Sequence, residues 1–103
     1  MENYQDTAYL QLANDTIYTR CQIALGGAYL VFPGEIEFTP LADEFNIEYD
    51  YVNGRTKILI YSTKHKFIQP GSYPILKLDN PAYPEKFETA GYRGEIVTSI
   101  IEQ

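Results

Sequence analysis

Phe45-Asn46-Ile47-Glu48-Tyr49-Asp50-Tyr51-Val52-Asn53-Gly54-Arg55-Thr56-Lys57-Ile58-Leu59-Ile60-Tyr61-Ser62 holds two β-type runs on either side of Asn53-Gly54. Asn-Gly favours a two-residue type I′ turn, because both central positions need φ > 0 and these residues tolerate it best. Such a turn sets Val52 opposite Arg55, Asp50 opposite Lys57, Glu48 opposite Leu59 and Asn46 opposite Tyr61. The other face then carries Phe45, Ile47, Tyr49 and Tyr51 against Ser62, Ile60, Ile58 and Thr56, and is apolar and aromatic. Asp50 across from Lys57 is a favourable cross-strand pair. A slip of one residue would scramble both faces. Turn chemistry and side-chain pattern therefore select the same hairpin.

Upstream, residues 1–6 read as a frayed polar start. Thr7 to Leu12 alternates, with Ala8, Leu10 and Leu12 inward and Tyr9 and Gln11 outward. Ala13-Asn14-Asp15 reads as a turn, since Asn and Asp bond their own backbone and tolerate the left-handed region. Ile17 to Leu25 reads as a second strand, with Tyr18, Arg20 and Gln22 outward, ended by Gly26-Gly27. Ala28 to Phe32 is a short apolar run stopped by Pro33-Gly34, and Glu35 to Thr39 alternates with Ile36 and Phe38 inward. Residues 40–44 read as a loop.

Downstream, Thr63-Lys64-His65-Lys66 is a polar turn, and Gln69-Pro70-Gly71-Ser72 is a turn of the Pro-then-Gly kind. Tyr73 to Leu78 is a strand with Leu76 and Leu78 on one face. Asp79 to Glu88 contains Pro81 and Pro84 and reads as an irregular surface excursion. Glu95 to Ile101 has apolar residues of both parities, which suits a strand covered on both faces or passing a bulge. No run combines helical periodicity with caps. Seven or eight short strands with turn signals between them predict one all-β domain over residues 1–103, an antiparallel sandwich or barrel.

A chain of 103 residues can bury a single core without staples. The net charge of −6 argues against general nucleic-acid binding and against an anionic membrane surface as partner. Cys21 is the only cysteine, so no internal disulfide and no cysteine-based metal site is expected. Its place in the alternating run Ile17, Thr19, Cys21, Ile23, Leu25 makes it a small core residue rather than a nucleophile. The start is polar and acidic, unlike a signal peptide. The expected location is cytoplasmic if Met1 is native, and secreted or at the cell surface if the chain is a module of a larger protein.

His65 is the only histidine and lies in a Lys-His-Lys loop. A triad or dyad needs a base held beside a nucleophile, and no such arrangement is visible. The pairs Glu35/Glu37 and Glu48/Asp50 put two carboxylates ~6.5–7 Å apart on one strand face, a spacing compatible with glycoside hydrolysis. Both faces are solvent-exposed by alternation, so nothing raises one pKa as an acid requires. Asp- and Asn-rich loops offer oxygen ligands for calcium, but no EF-hand spacing is present and no site is named. The expectation is no enzyme, no catalytic residue, no cofactor and no metal site. Ten tyrosines stand out. Tyr9, Tyr18 and Tyr61 alternate onto otherwise polar faces, and Tyr29, Tyr73, Tyr83 and Tyr92 fall near strand ends or loops. Such rings suit interfaces or stacking on sugars, and are also common on half-buried sheets.

From Phe45 onward the order of features resembles the cohesin family. The carriers are an aromatic alternating strand, a tight turn, Arg55-Thr56-Lys57-Ile58-Leu59-Ile60-Tyr61-Ser62, a polar loop, and Gly71-Ser72-Tyr73-Pro74-Ile75-Leu76-Lys77-Leu78. Upstream, Arg20-Cys21-Gln22-Ile23-Ala24-Leu25 is similar to that family's early core strand. The resemblance covers residues 17–25 and 45–78. The chain is shorter than a usual cohesin, and no dockerin-contacting residue carries over. The resemblance implies a β-sandwich of jelly-roll type and a non-catalytic bacterial module that binds a protein partner, dockerin-like or other.

The surface patch expected to bind is Leu59 and Tyr61 beside Asn46 and Glu48, apolar anchors with polar neighbours on the hairpin's polar face. An alternative is a small acidic phage or host-defence inhibitor that covers a basic groove using Glu35, Glu37, Asp43, Glu44, Glu48 and Asp50. A further alternative is a carbohydrate-binding module with tyrosine platforms. A monomer or a homodimer is expected, the latter through an edge such as Tyr73–Leu78 or the C-terminal strand.

Overall fold

A computed structural model describes residues 6–41, 45–62 and 67–103. The start over residues 1–5, the loop residues 42–44 with Asp43 and Glu44, and the turn 63–66 with His65 lie outside the described residues.

The described residues form nine strands: β1 (Asp6–Ala13), β2 (Thr16–Cys21), β3 (Leu25–Pro33), β4 (Phe38–Pro40), β5 (Asn46–Val52), β6 (Arg55–Tyr61), β7 (Gly71–Leu78), β8 (Lys86–Gly91) and β9 (Val97–Ile101). They make a five-stranded sheet in the order β4-β7-β2-β1-β9 and a four-stranded sheet in the order β5-β6-β3-β8. The inward faces meet in one core. Ala8, Leu10, Ile17, Leu76 and Leu78 from the first sheet pack with Leu30, Phe32, Ile58, Ile60 and Phe87 from the second. Fully burying a large aliphatic or aromatic side chain contributes about 1.5–3 kcal/mol, so this layer dominates the stability of the fold.

The central hairpin follows from its turn. Asn53 and Gly54 take φ of 54° and 74°, as a type I′ turn requires. All four cross-strand pairs read from the sequence are present, from Val52–Arg55 to Asn46–Tyr61. On the inward face Thr56, Ile58 and Ile60 are buried, whereas Tyr49 and Tyr51 stay 58% and 44% exposed. The reason is that β5 ends its sheet, so its distal half overhangs the core. Asn14, with φ 59°, turns β1 into β2.

Several elements differ from the sequence reading. Gly26-Gly27 does not end a strand. β2 stops at Cys21, and β3 starts at Leu25 and runs through the glycines, with a register shift against β8 between Leu25 and Gly27. Glycine inside a strand often marks such a bulge or a close backbone approach. Residues 79–88 are not wholly irregular: Lys86 begins β8, and Phe87 enters the core. The run Glu35–Thr39 contributes only the short β4. β7 lies between β4 and β2, so Tyr73–Leu78 is not an edge. β9 is an edge, and it pairs parallel with β1 in an otherwise antiparallel sandwich. One of its faces is open, with Ile96 and Ile100 exposed beside it, so it is not covered on both sides.

Each lateral side of the sandwich is tied differently. On one side the Thr89 and Ser99 hydroxyls lie 2.8 Å apart and join β8 to β9. On the other, Phe38 of β4 meets Tyr49 of β5 edge-to-face with centroids 5.2 Å apart. Buried Thr56 fastens the crossover that leads to β4. Its hydroxyl donates to the Gly34 carbonyl at 2.7 Å and accepts from the Ile36 N–H at 3.0 Å.

Candidate functional site

The outer face of the four-stranded sheet carries the residues that the sequence singles out. Two adjacent rows cross it. One runs Asn46–Tyr61–Gly27–Ala90, and the next Glu48–Leu59–Tyr29–Glu88. Strand alternation sends these side chains away from the core, because Ile58, Ile60, Ala28, Leu30 and Phe87 take the inward positions.

Asn46, Glu48, Leu59 and Tyr61 do come together. The Tyr61 hydroxyl donates to Glu48 Oε2 at 2.9 Å. That bond holds the Tyr61 proton, so its pKa is raised, first by this hydrogen bond, then by local desolvation and by the Glu48 charge. A hydrogen bond with Asn46 acts in the opposite sense. Leu59, 41% exposed, lies opposite Glu48 in the register.

The sequence reading missed the other half of this face. Tyr29 is at the middle of β3, not near a strand end, and stands opposite Leu59. Between Tyr29, Leu59 and Tyr61 the surface sinks into a shallow dish of about 380 Å³, lined also by Gly27, Glu88 and Ala90. Gly27 and Ala90 make the floor low because one has no side chain and the other has only a methyl. A Cβ at Gly27 would stand 2.8 Å from the Ile60 carbonyl oxygen. A signal for β8 was present in Lys86-Phe87-Glu88-Thr89-Ala90, where Phe87 alternates with charged and small residues. The prolines before it masked that pattern.

The rim of the dish is charged. Lys86 Nζ lies 3.7 Å from Glu88 and 5.8 Å from the Tyr29 ring centroid. Asp50 stands across from Lys57 in the next row. The exposed Lys86–Glu88 pair contributes little to stability but, with Asp50 and Lys57, sets the polarity of the surface. An apolar centre with a polar, partly charged rim has the anatomy of a protein-contact surface.

The remaining candidates separate from this face or from each other. Glu35 and Glu37 are exposed at the β4–β5 side, while Glu48 and Asp50 are on the sheet face. Cys21 is free and buried in the core, as its alternation indicated. Among the described residues no group of three or more His, Cys, Asp or Glu side chains converges on one point. Tyr9 lies on the outer face of the other sheet, with the Arg20 guanidinium 4.4 Å from its ring centroid.

No family model matches the sequence, and no curated protein matches it. A solved structure does match the fold: a non-cellulosomal cohesin from the hyperthermophilic archaeon Archaeoglobus fulgidus. The two are 13% identical, with a TM-score of 0.53, over 99% of this chain and 93% of that one. The likeness therefore spans the whole chain, including the first half, where the sequence showed least of it. The nine strands are arranged as a cohesin-like β-sandwich.

Proposed function

We propose that this chain is a non-catalytic protein-binding module that docks its partner on the outer face of β5-β6-β3-β8. The observation that carries this reading is the dish between Leu59, Tyr29 and Tyr61, floored by Gly27 and Ala90. Aromatic side chains around a small depression are the usual anchors of a protein interface. The Tyr61–Glu48 bond fixes one anchor before binding, which lowers the entropy lost on association. The cohesin-like fold supports the same class of function, and a dockerin-like partner is the first to try. Such a partner inserts one apolar side chain into the dish and meets the rim with polar groups.

The test is binding to candidate dockerins and to proteins captured from the source organism, measured at low and high salt with the unaltered chain, Leu59→Ala and Tyr61→Ala. Docking as proposed survives high salt and weakens at least about tenfold in each variant, the loss typical of an interface anchor. A partner bound equally by all three chains, or released by salt alone, overturns the reading. Release by salt would instead favour an acidic cover for a basic groove.

A further inference from the structure

A second surface lies at the open side of the sandwich, between the unpaired edges of β4 and β5. There a groove of about 600 Å³ is lined by Glu35, Glu37, Phe38, Ile47, Tyr49 and Tyr51, together with Pro40. Its aromatic wall is continuous. Phe38 meets Tyr49 edge-to-face, and Tyr49 meets Tyr51 at 5.9 Å and 74°. The Tyr51 hydroxyl donates to the Ile36 carbonyl at 3.1 Å, which fixes that ring beside the two glutamates. Tyr49 and Tyr51 are nonetheless about half exposed, an unusual position for two large rings on the inward-facing side of a strand.

The chemistry of the groove selects its occupant. Ring faces attract a cation, and a nearby carboxylate adds to that attraction. Among the described residues, neither Glu35 nor Glu37 takes part in an ion pair. The Tyr51 hydroxyl is held protonated to higher pH, first by local desolvation, then by Tyr49, Glu35 and Glu37, which agrees with a negative field in the groove.

The backbone selects the form of the occupant. A two-residue turn makes Val52–Arg55 a hydrogen-bonded pair, so Ile47, Tyr49 and Tyr51 direct their N–H and C=O groups away from β6. The Tyr51 N–H is taken by the Asp50 carboxylate at 2.8 Å. Ile47 and Tyr49 leave a short strand edge facing the groove, a template for an added strand.

We infer that this groove is a second recognition site, distinct from the sheet face, for an extended peptide segment carrying arginine or lysine. The segment pairs with the Ile47–Tyr49 edge, and its cation rests on the tyrosine rings beside Glu35 and Glu37. The inference stands independently of the docking face, because none of the dish residues lines this groove.

The experiment titrates the whole chain with a short peptide in which threonine and valine flank a central arginine, followed by amide NMR. The control peptide replaces arginine with citrulline, which keeps the shape and removes the charge. The expected result is saturable shifts confined to Phe38, Ile47, Tyr49, Tyr51 and their neighbours. Binding weakens about tenfold with citrulline, with Tyr49→Ala and with the double variant Glu35→Gln, Glu37→Gln, in line with one cation–ring contact plus exposed charge pairs. Leu59→Ala leaves the peptide titration unchanged. The glutamines are isosteric and exposed, so an unchanged amide spectrum without peptide confirms the fold. Absence of saturable shifts, equal binding of the citrulline peptide, or shifts centred on Leu59 and Tyr29 would each overturn the inference.

Discussion

The Tyr61 hydroxyl donates a 2.9 Å hydrogen bond to Glu48, a residue diagonal to it rather than its register partner Asn46. The hairpin turn thus decides which carboxylate meets which phenol. The bond stabilises the neutral phenol and raises the Tyr61 pKa above the ordinary 10.0. A group with a raised folded-state pKa adds stability that is complete below the unfolded value and is lost as pH rises through the folded value. We therefore expect the melting temperature of the native chain to fall from about pH 10 upward. In Tyr61→Phe this fall should be smaller. Tyrosinate absorbance in Glu48→Gln should show one phenol returning towards ordinary titration. Identical alkaline profiles for native and variant chains would contradict this.

Thr56 should matter more than its size suggests. Its hydroxyl satisfies both the Gly34 carbonyl and the Ile36 N–H inside the structure. Thr56→Val keeps the shape and removes both bonds. Both partners are only partly covered, so leaving them unpaired costs about 1 kcal/mol, the low end for such groups. Denaturant unfolding should show a loss of that order, and the amide of Ile36 should exchange faster. A Thr56→Ser chain should keep most of the protection.

Thr19 points the other way. The residue is 1% exposed, and among the described residues its hydroxyl has no hydrogen-bond partner. Thr19→Val removes an unsatisfied polar atom at constant shape, so it should stabilise the chain by about 1 kcal/mol. A shift of the urea midpoint to lower concentration would show that the hydroxyl is satisfied in solution.

Gly27 sits under the dish, where the β6 backbone leaves no room for a side chain. Gly27→Ala places a Cβ 2.8 Å from the Ile60 carbonyl oxygen, so β3 and β6 must separate locally. Overpacking of this kind costs about 1–3 kcal/mol. The same methyl raises the floor of the dish, so partner affinity should fall as well. Leu59→Ala separates the two effects, because Leu59 is exposed and its loss should leave stability within about 0.5 kcal/mol.

What could be read from the sequence was local. Asn53-Gly54 encodes its own conformation, and the alternating runs beside it encode two faces, so the hairpin and its register were legible to the residue. Cys21 was legible for the same reason. Gly26-Gly27 was misread because a glycine pair signals a strand end and a bulge alike, and only the pairing with β8 distinguishes them. β8 itself was hidden behind Pro81 and Pro84. The hairpin half of the candidate site, Asn46, Glu48, Leu59 and Tyr61, followed from register alone. The other half required knowing that β3 lies between β6 and β8, which sets Tyr29 beside Leu59 and Glu88, residues far from it in the chain. The exposed Tyr49 and Tyr51 could not be foreseen, because alternation gives the side a residue faces and not whether the opposite sheet extends far enough to cover it.

The parallel pairing of β1 with β9 orders events in time. Gln11 bonds to Glu102, 91 positions away, and Asp6 to Leu10 lie beside Val97 to Ile101. During synthesis, β1 therefore presents an open flank until β9 has left the ribosome. Long-range pairings form slowly, and unpaired flanks invite association with other chains. The finished module hides this vulnerability, but a chain stalled or cut before Val97 carries it permanently.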